Sequence, residues 1–220
     1  AEINATFYYV DAASVMSKWL GESEKNIAKL FSSAREAGLR RNPSIIFIDE
    51  IDSLAAAHRL EVGGESRARN QLLKEMDGLR EKGKPLHLYV LGATNRPWEL
   101  DEPFIRRFQK RIHVPLPDAS SRLEMFRLYT KDLNLSPEVD LEQLAATSEY
   151  YSGNDIHDLC MAVQIAIVRE LFETQPAQAE GTPRPIAMDD FLQAMRKRGS
   201  SVSLENVKRI ESWFTRYGAQ

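Results

Sequence analysis

Two acids stand side by side at Asp49-Glu50, directly after the apolar run "IIFI". Adjacent carboxylates at the end of a buried strand point different ways, so they can take different roles. One can hold a magnesium ion through water, and the other can orient or deprotonate an attacking water. An isolated pair of this kind would read instead as two acids capping the next helix. A second polar pair, Thr94-Asn95, ends the stretch "LHLYVLGATN" at 86–95. Asn there can donate to a phosphate oxygen or position a water, although by itself Asn is more often a turn former. Further on, "DEPFIRRFQKR" at 101–111 carries Arg106, Arg107, Lys110 and Arg111. Clustered arginines suit bidentate recognition of phosphate oxygens; a solvated basic face is the commoner origin of such a cluster. Finally, "SKWLGESEKN" at 17–26 sets Trp19 between Lys18 and Leu20, with a Gly following. A large apolar ring with polar flanks is either a core Trp or a grip on a partner.

These positions need elements to hold them. "TFYYVDA" at 6–12 is rich in aromatic and β-branched residues and predicts a strand. Ile27, Leu30, Phe31 and Ala34 follow at the i, i+3, i+4, i+7 spacing of a buried helical stripe. "SIIFIDEID" at 44–52 holds an unbroken apolar run, which suits a strand buried on both faces as in a parallel sheet. "VGG" at 62–64 reads as a flexible break, and "ESRARNQLLKEMDG" at 65–78 as a helix ending near Gly78. A third strand at 86–95, a short helix near 101–108 and a fourth strand, "RIHVPL" at 111–116, complete the alternation. It predicts an α/β domain with a largely parallel sheet, in which ligands bind at the carboxyl ends of the strands.

After Pro117 the patterns are helical. "SGNDIHDLCMAVQIAIVRELF" at 152–172 carries Ile156, Leu159, Cys160, Val163 and Ile167 on one stripe. Ser152 and Asp155 have the spacing of a capping box, with Asp in place of Glu or Gln. A polar loop at 174–185 precedes two more helices, at 187–198 and 203–217. The predicted organisation is an α/β subdomain over 1–117 and a helical one over 118–220.

Composition narrows the function classes. Of 220 residues, 43% are hydrophobic and 28% charged, which supports a folded core. A net charge of −3 argues against broad nucleic-acid binding, so no direct nucleic-acid partner is expected. The single cysteine, Cys160, excludes an intramolecular disulfide and a cysteine-rich metal site, and is compatible with a reducing, intracellular setting. Its place in the apolar stripe points to packing rather than chemistry.

"KWLGESEKN", "IIFIDEID", "GATNRPWELDEPFIRRFQKR" and "YSGNDI" occur in the order and spacing of the AAA class of ATPases, which the chain resembles over essentially its whole length. Within that class it is similar to the ATPases that disassemble ESCRT-III filaments, among them the archaeal cell-division ATPase CdvC; "VDAASVMSKWLGE" and "GGESRARNQLLKEMDGL" carry that likeness. Katanin and spastin are close relatives that more often have Tyr where this chain has Trp19. The resemblance implies a parallel-sheet nucleotide-binding subdomain followed by a small all-helical lid. It implies ATP and Mg²⁺, with Asp49 as the acid that holds the metal through water and Glu50 as the catalytic glutamate. Asn95 matches the sensor of the γ-phosphate, and Gly153 the stretch near the adenine. Arg106 and Arg107 match arginine fingers that act on ATP held by a neighbouring subunit. Lys18, Trp19 and Leu20 match a loop that lines the pore of a hexamer and grips polypeptide, with a second pore loop at 62–67.

The implied partners are copies of the chain itself and ESCRT-III-like filament proteins. Membrane contact would be indirect, through peripheral recruitment to filaments. The alternatives are another AAA remodeller, of the microtubule-severing or general unfoldase kind, and a non-catalytic oligomerisation module. One departure stands out: no G-x-x-x-x-G-K-[ST] occurs in the chain. The family has that phosphate loop just before the strand at 6–12, so the expectation is the carboxy-terminal part of a longer ATPase, with the large subdomain incomplete and a filament-recruiting domain further upstream. The short 174–185 loop leaves no room for the extra β-domain of the eukaryotic filament-disassembling enzymes.

Overall fold

Aliphatic and aromatic residues dominate three segments that form the sheet. In the computed structural model, which describes residues 4–12, 23–39, 42–56, 63–80, 87–174 and 182–218, these are β1 (Thr6–Asp11), β2 (Ser44–Asp49) and β3 (Leu88–Gly92). All three run parallel, in the order β1-β2-β3. The register sets Tyr9 opposite Phe47, and Asp11 opposite Asp49.

Helix α1 (Ser23–Gly38) follows the predicted stripe: Ile27, Phe31 and Ala34 are buried, and Leu30 packs against the same core half-buried. Helix α3 (Gly63–Asp77) adds Leu72, Leu73 and Met76, and the two helices pack together over one face of the sheet, against Ile46 and Ile48. Between them in sequence lies the short α2 (Asp52–Ala56). After two single-turn 3₁₀ segments, Gly78–Arg80 and Pro97–Glu99, comes the six-residue α4 (Glu102–Arg107), whose Phe104 enters the same core.

Three sequence expectations are corrected here. Among the described residues β2 is fully buried on one face only: Ser44, Ile46 and Ile48 are buried, while Ile45, Phe47 and Asp49 are half-buried. Among the described residues helices cover one face of the sheet, and the other carries the exposed Phe7, Tyr9, Tyr89 and Leu91. The segment 111–116 is not a strand. A strand persists through its ladder, and this segment pairs with none of the described strands; Ile112 and Val114 are 83% and 84% exposed. Gly63 and Gly64 do not break the chain but open α3, where a first-turn glycine is tolerated. The predicted pore residues Lys18, Trp19 and Leu20 lie outside the described residues.

The remaining helices are α5 (Ala119–Thr130), α6 (Leu141–Thr147), α7 (Gly153–Thr174), α8 (Met188–Arg198) and α9 (Leu204–Tyr217). The stripe read on α7 is buried in full, from Ile156 through Leu159, Cys160 and Val163 to Ile167. With Phe126, Leu144, Phe191 and Met195 it forms a second core. The Ser152 capping box is formed: the Ser152 N–H donates to Asp155 Oδ2 at 2.8 Å, and the Asp155 N–H donates to Ser152 Oγ at 3.2 Å. Contacts partition the chain into Ala1–Ile112 with Ile210–Gln220, and His113–Arg209. The division at residue 117 follows chain order; grouping by contact instead assigns 113–117 to the second unit and 210–220 to the first. No helix among the described residues is long and apolar enough to cross a membrane.

Candidate active site

The carboxyl ends of β2 and β3 lie side by side. The Ala93 N–H donates to the Ile48 carbonyl at 2.8 Å, and the Ile51 N–H donates to the Ala93 carbonyl at 3.1 Å. Gly92 sits in a tight spot here: a Cβ would meet Ile51 Cδ1 and Phe108 Cζ at 3.0 Å, so those side chains would have to give by a few tenths of an ångström. The segment 93–95 therefore runs beside the chain reversal at 49–51. Glu50 makes that reversal with φ of 49°, in the left-handed region that non-glycine residues rarely enter. Its carbonyl accepts the Ser53 N–H at 2.9 Å, which starts α2, and its side chain is exposed.

Asp49 is held from two sides. Its Oδ1 accepts the Glu50 N–H at 2.9 Å, and its Oδ2 accepts the Tyr9 hydroxyl at 3.2 Å. The bond to Asp49 raises the Tyr9 hydroxyl above its ordinary pKa, since ionising the phenol would lose it. Tyr9 was read from sequence as strand composition only; the signal for its role is the register, which sequence does not carry. Next to Asn95, the Thr94 hydroxyl donates to Asp52 Oδ1 at 2.6 Å and accepts the Arg96 N–H at 2.9 Å. Thr94 thus ties the end of β3 to the start of α2, and Asn95 follows it with an exposed side chain.

Helix α4 is held at both ends by α3. Asp101 caps it, accepting the Phe104 N–H at 3.2 Å through Oδ1, while its Oδ2 pairs with the buried Arg69 of α3. At the other end Arg107 makes a two-pronged pair with Asp77 of α3: Nε to Oδ1 at 2.9 Å and Nη2 to Oδ2 at 2.5 Å. Its Nη1 also donates to the Pro103 carbonyl at 2.8 Å. Arg106 pairs with Glu102, one turn back on α4. Arg111 is a structural cap: its Nη1 donates to the Ile105 and Phe108 carbonyls at 3.1 and 3.2 Å, serving acceptors that a helix end leaves open. Asp77, Arg69 and Asp101 were not singled out by sequence reasoning, because charged residues in a helical stretch look like a solvated face until their partners are known.

These motifs sit where a known family has them. A profile of the ATPase family associated with various cellular activities (AAA) matches residues 1–116. The chain belongs to the AAA family. It is 48% identical over 219 residues to Cell division protein C of Sulfolobus acidocaldarius, a match that covers 99% of this chain and 57% of that protein. Spastin of Danio rerio is 40% identical over 220 residues, covering 99% and 38% respectively. The chain thus spans about half, or less, of the length of these AAA relatives. Among solved structures it is similar to the FIGL-1 AAA domain in complex with ADP, with a TM-score of 0.83 and 32% identity over 96% of this chain and 69% of that one. A structure described as the basis for katanin self-assembly matches with a TM-score of 0.75 and 33% identity, over 94% and 68%.

Of the residues that the AAA motifs single out, Asp49 and Glu50 adjoin the 93–95 segment, and Asn95 closes it. Arg106 and Arg107 stand on α4, each engaged with an acid of its own chain. Gly153 belongs to the second unit, at the first residue of α7. A Cβ there would lie 3.6 Å from Met125 Sδ and Cε, an ordinary contact, so packing alone does not demand a glycine. Cys160 is inert by environment: burial pushes its thiol up to about 12. Among the described residues no cluster of three or more His, Cys, Asp or Glu could hold a metal by itself.

Proposed function

We propose that this AAA chain is the working part of an ATP-hydrolysing remodeller, and that its substrate is a protein filament of the ESCRT-III type. The observation that carries the reading is the pairing of Asp49 and Glu50 at the end of β2, beside the 93–95 segment that ends in Asn95. In a parallel α/β sheet this is where ligands bind. ADP in the FIGL-1 structure supports a nucleotide as the ligand.

Asp49 fits magnesium. Its oxygens are hard and anionic, each is oriented by one donor, and each keeps lone-pair capacity. Magnesium is usually held by one or two carboxylates, water and substrate phosphates, and Asp49 would supply one such carboxylate. When bound, magnesium would offset charge on the phosphates. Glu50 then acts as general base on the attacking water, and Asn95 contacts the γ-phosphate. Arg107, with Arg106 beside it, exchanges its own Asp77 for the ATP of a neighbouring subunit, which requires a ring; a hexamer is the proposed assembly. Gly153 lies along the adenine, and Lys18, Trp19 and Leu20 grip the threaded polypeptide. Likeness to Cell division protein C supports cell division as the process, with the ring acting from the cytoplasm and recruited to membranes only through the filaments.

Glu50→Gln in the full-length protein tests the chemistry. Gln keeps the shape but cannot accept a proton, so steady-state phosphate release should fall by about 10²- to 10⁴-fold with nucleotide binding retained. A variant that keeps half the parent rate would remove Glu50 from the mechanism. The spastin and katanin likenesses favour a second reading, a severing-type remodeller. Incubating the active ring with ESCRT-III-type filaments and, separately, with microtubules decides between the two.

A further inference from the structure

We propose that Tyr9 is a positioning residue for the Asp49 carboxylate and so sets the affinity of the site for its divalent cation; this rests on reading Asp49 as the magnesium acid. The argument begins with the register. Side chains alternate across a sheet, so Phe7, Tyr9 and Asp11 of β1 share a face with Phe47 and Asp49 of β2. On that face three aromatic rings stack in turn. Phe7 lies 6.1 Å from Phe47 at an interplanar angle of 27°, and Tyr9 lies 5.9 Å from Phe47 at 17°. Phe47, opposite Tyr9, thereby fixes the plane of the tyrosine ring. The hydroxyl is carried past Phe47 toward the residue two places further along β2, about 7 Å of strand. That residue is Asp49, and the hydroxyl donates to its Oδ2 at 3.2 Å.

The Glu50 N–H already occupies Oδ1. With one donor on each oxygen, rotation of the carboxylate about its own bond is constrained, and the remaining lone pairs have a fixed direction. Donors behind a directly ligating carboxylate account for roughly 10- to 100-fold in metal affinity; Asp49 holds its ion through water, so the lower end, about tenfold, is the effect expected of Tyr9. The bland alternative is a surface tyrosine whose hydroxyl meets an acid without consequence. Tyr9 is 62% exposed, and an exposed hydrogen bond contributes little to folding, so metal affinity separates the two readings and an unchanged melting temperature excludes a structural effect.

The test uses full-length protein carrying Glu50→Gln, loaded with one ATP per subunit and freed of excess nucleotide. Binding of Mn²⁺ is followed by the loss of its free electron paramagnetic resonance signal. Tyr9→Phe, which keeps the ring stack and removes only the hydroxyl, should weaken Mn²⁺ binding about tenfold, with a melting temperature within about 2 °C of the parent. Phe47→Leu, which keeps the hydroxyl and removes its guide, should weaken it by a smaller factor. In the hydrolysing protein Tyr9→Phe should raise the Mg²⁺ concentration for half-maximal rate and leave the rate at saturating Mg²⁺ near the parent value. Asp49→Asn is the control. If it abolishes Mn²⁺ binding while Tyr9→Phe binds as tightly as the parent, the role of Tyr9 is overturned and the site stands. If Asp49→Asn binds Mn²⁺ like the parent, both the site and the role of Tyr9 fall.

Discussion

Replacing Glu50 by glycine should make the protein more stable while abolishing its turnover. Glu50 sits at φ of 49°, where an L-residue costs roughly 1–2 kcal/mol that glycine does not incur. Glycine gives back about 0.5–1 kcal/mol through its more flexible unfolded chain. The groups that Glu50 contributes to the local structure are backbone: the N–H to Asp49 Oδ1 and the carbonyl to the Ser53 N–H. Both survive the change, and the side chain is exposed, so little packing is lost. The balance is a gain of about 0.5–1 kcal/mol. For a unit of about 120 residues that is a rise of about 2–4 °C in melting temperature. Glu50→Val, branched at Cβ and less able to enter the left-handed region, should melt below the parent. Glu50→Gln should melt with it. Phosphate release should drop about 10²- to 10⁴-fold in all three. The assay is a thermal melt of the four proteins side by side. A glycine variant that melts below the parent, or no lower than the valine variant but no higher either, would refute the idea that the acid is held under backbone strain.

Arg107→Ala should be inactive alone, yet mixing it with Glu50→Gln protein should restore activity, because some interfaces then join an intact Arg107 to an intact Glu50; no recovery in confirmed mixed rings would count against action in trans. Trp19→Ala should melt near the parent and hydrolyse ATP at the basal rate but fail to disassemble filaments. A drop of the size expected for truncating a buried Trp, about 3–5 kcal/mol, would show a core residue instead. Asp118 caps α5, accepting the Ser121 N–H at 2.7 Å and the Ser120 hydroxyl at 2.8 Å, which hold its carboxyl down to about 2 from 3.8. A lowered folded pKa adds stability that is complete above the ordinary value and fades as pH falls toward 2. Asp118→Asn, which caps without titrating, should therefore lose less stability between pH 4 and pH 2 than the parent, as read from urea unfolding at each pH.

The parts of this fold that were legible in sequence are those decided locally. The α1 stripe of Ile27, Phe31 and Ala34 and the α7 stripe from Ile156 to Ile167 follow from helical period alone, and the Ser152–Asp155 box from a spacing of three. The place of Asp49 and Glu50 was legible because the apolar run at 45–48 ends where β2 ends, at Asp49. What was not legible depends on partners distant in the chain. The apolar run at 45–48 looks the same whether one face or both are covered. The segment 111–116 has strand composition but no described strand beside it, and composition cannot supply a ladder. Tyr9 reaches Asp49 across 40 positions, and Arg107 reaches Asp77 across 30. No pattern within either segment announces such a pairing.

The two ties between α3 and α4 have opposite polarity. At the leading end α3 supplies the cation, Arg69, and the cap of α4 the anion, Asp101; at the trailing end α3 supplies the anion, Asp77, and α4 the cation, Arg107. The charges therefore work as an asymmetric key. Sliding α4 by a turn along α3 would break both pairs, and turning it end for end would bring like charges together. A helix of six residues does not hold its own shape in water, so its bearing is inherited from its neighbour. Helix α3, about 22 Å long, thereby sets the distance from its own Gly63 end to Arg107 at the other.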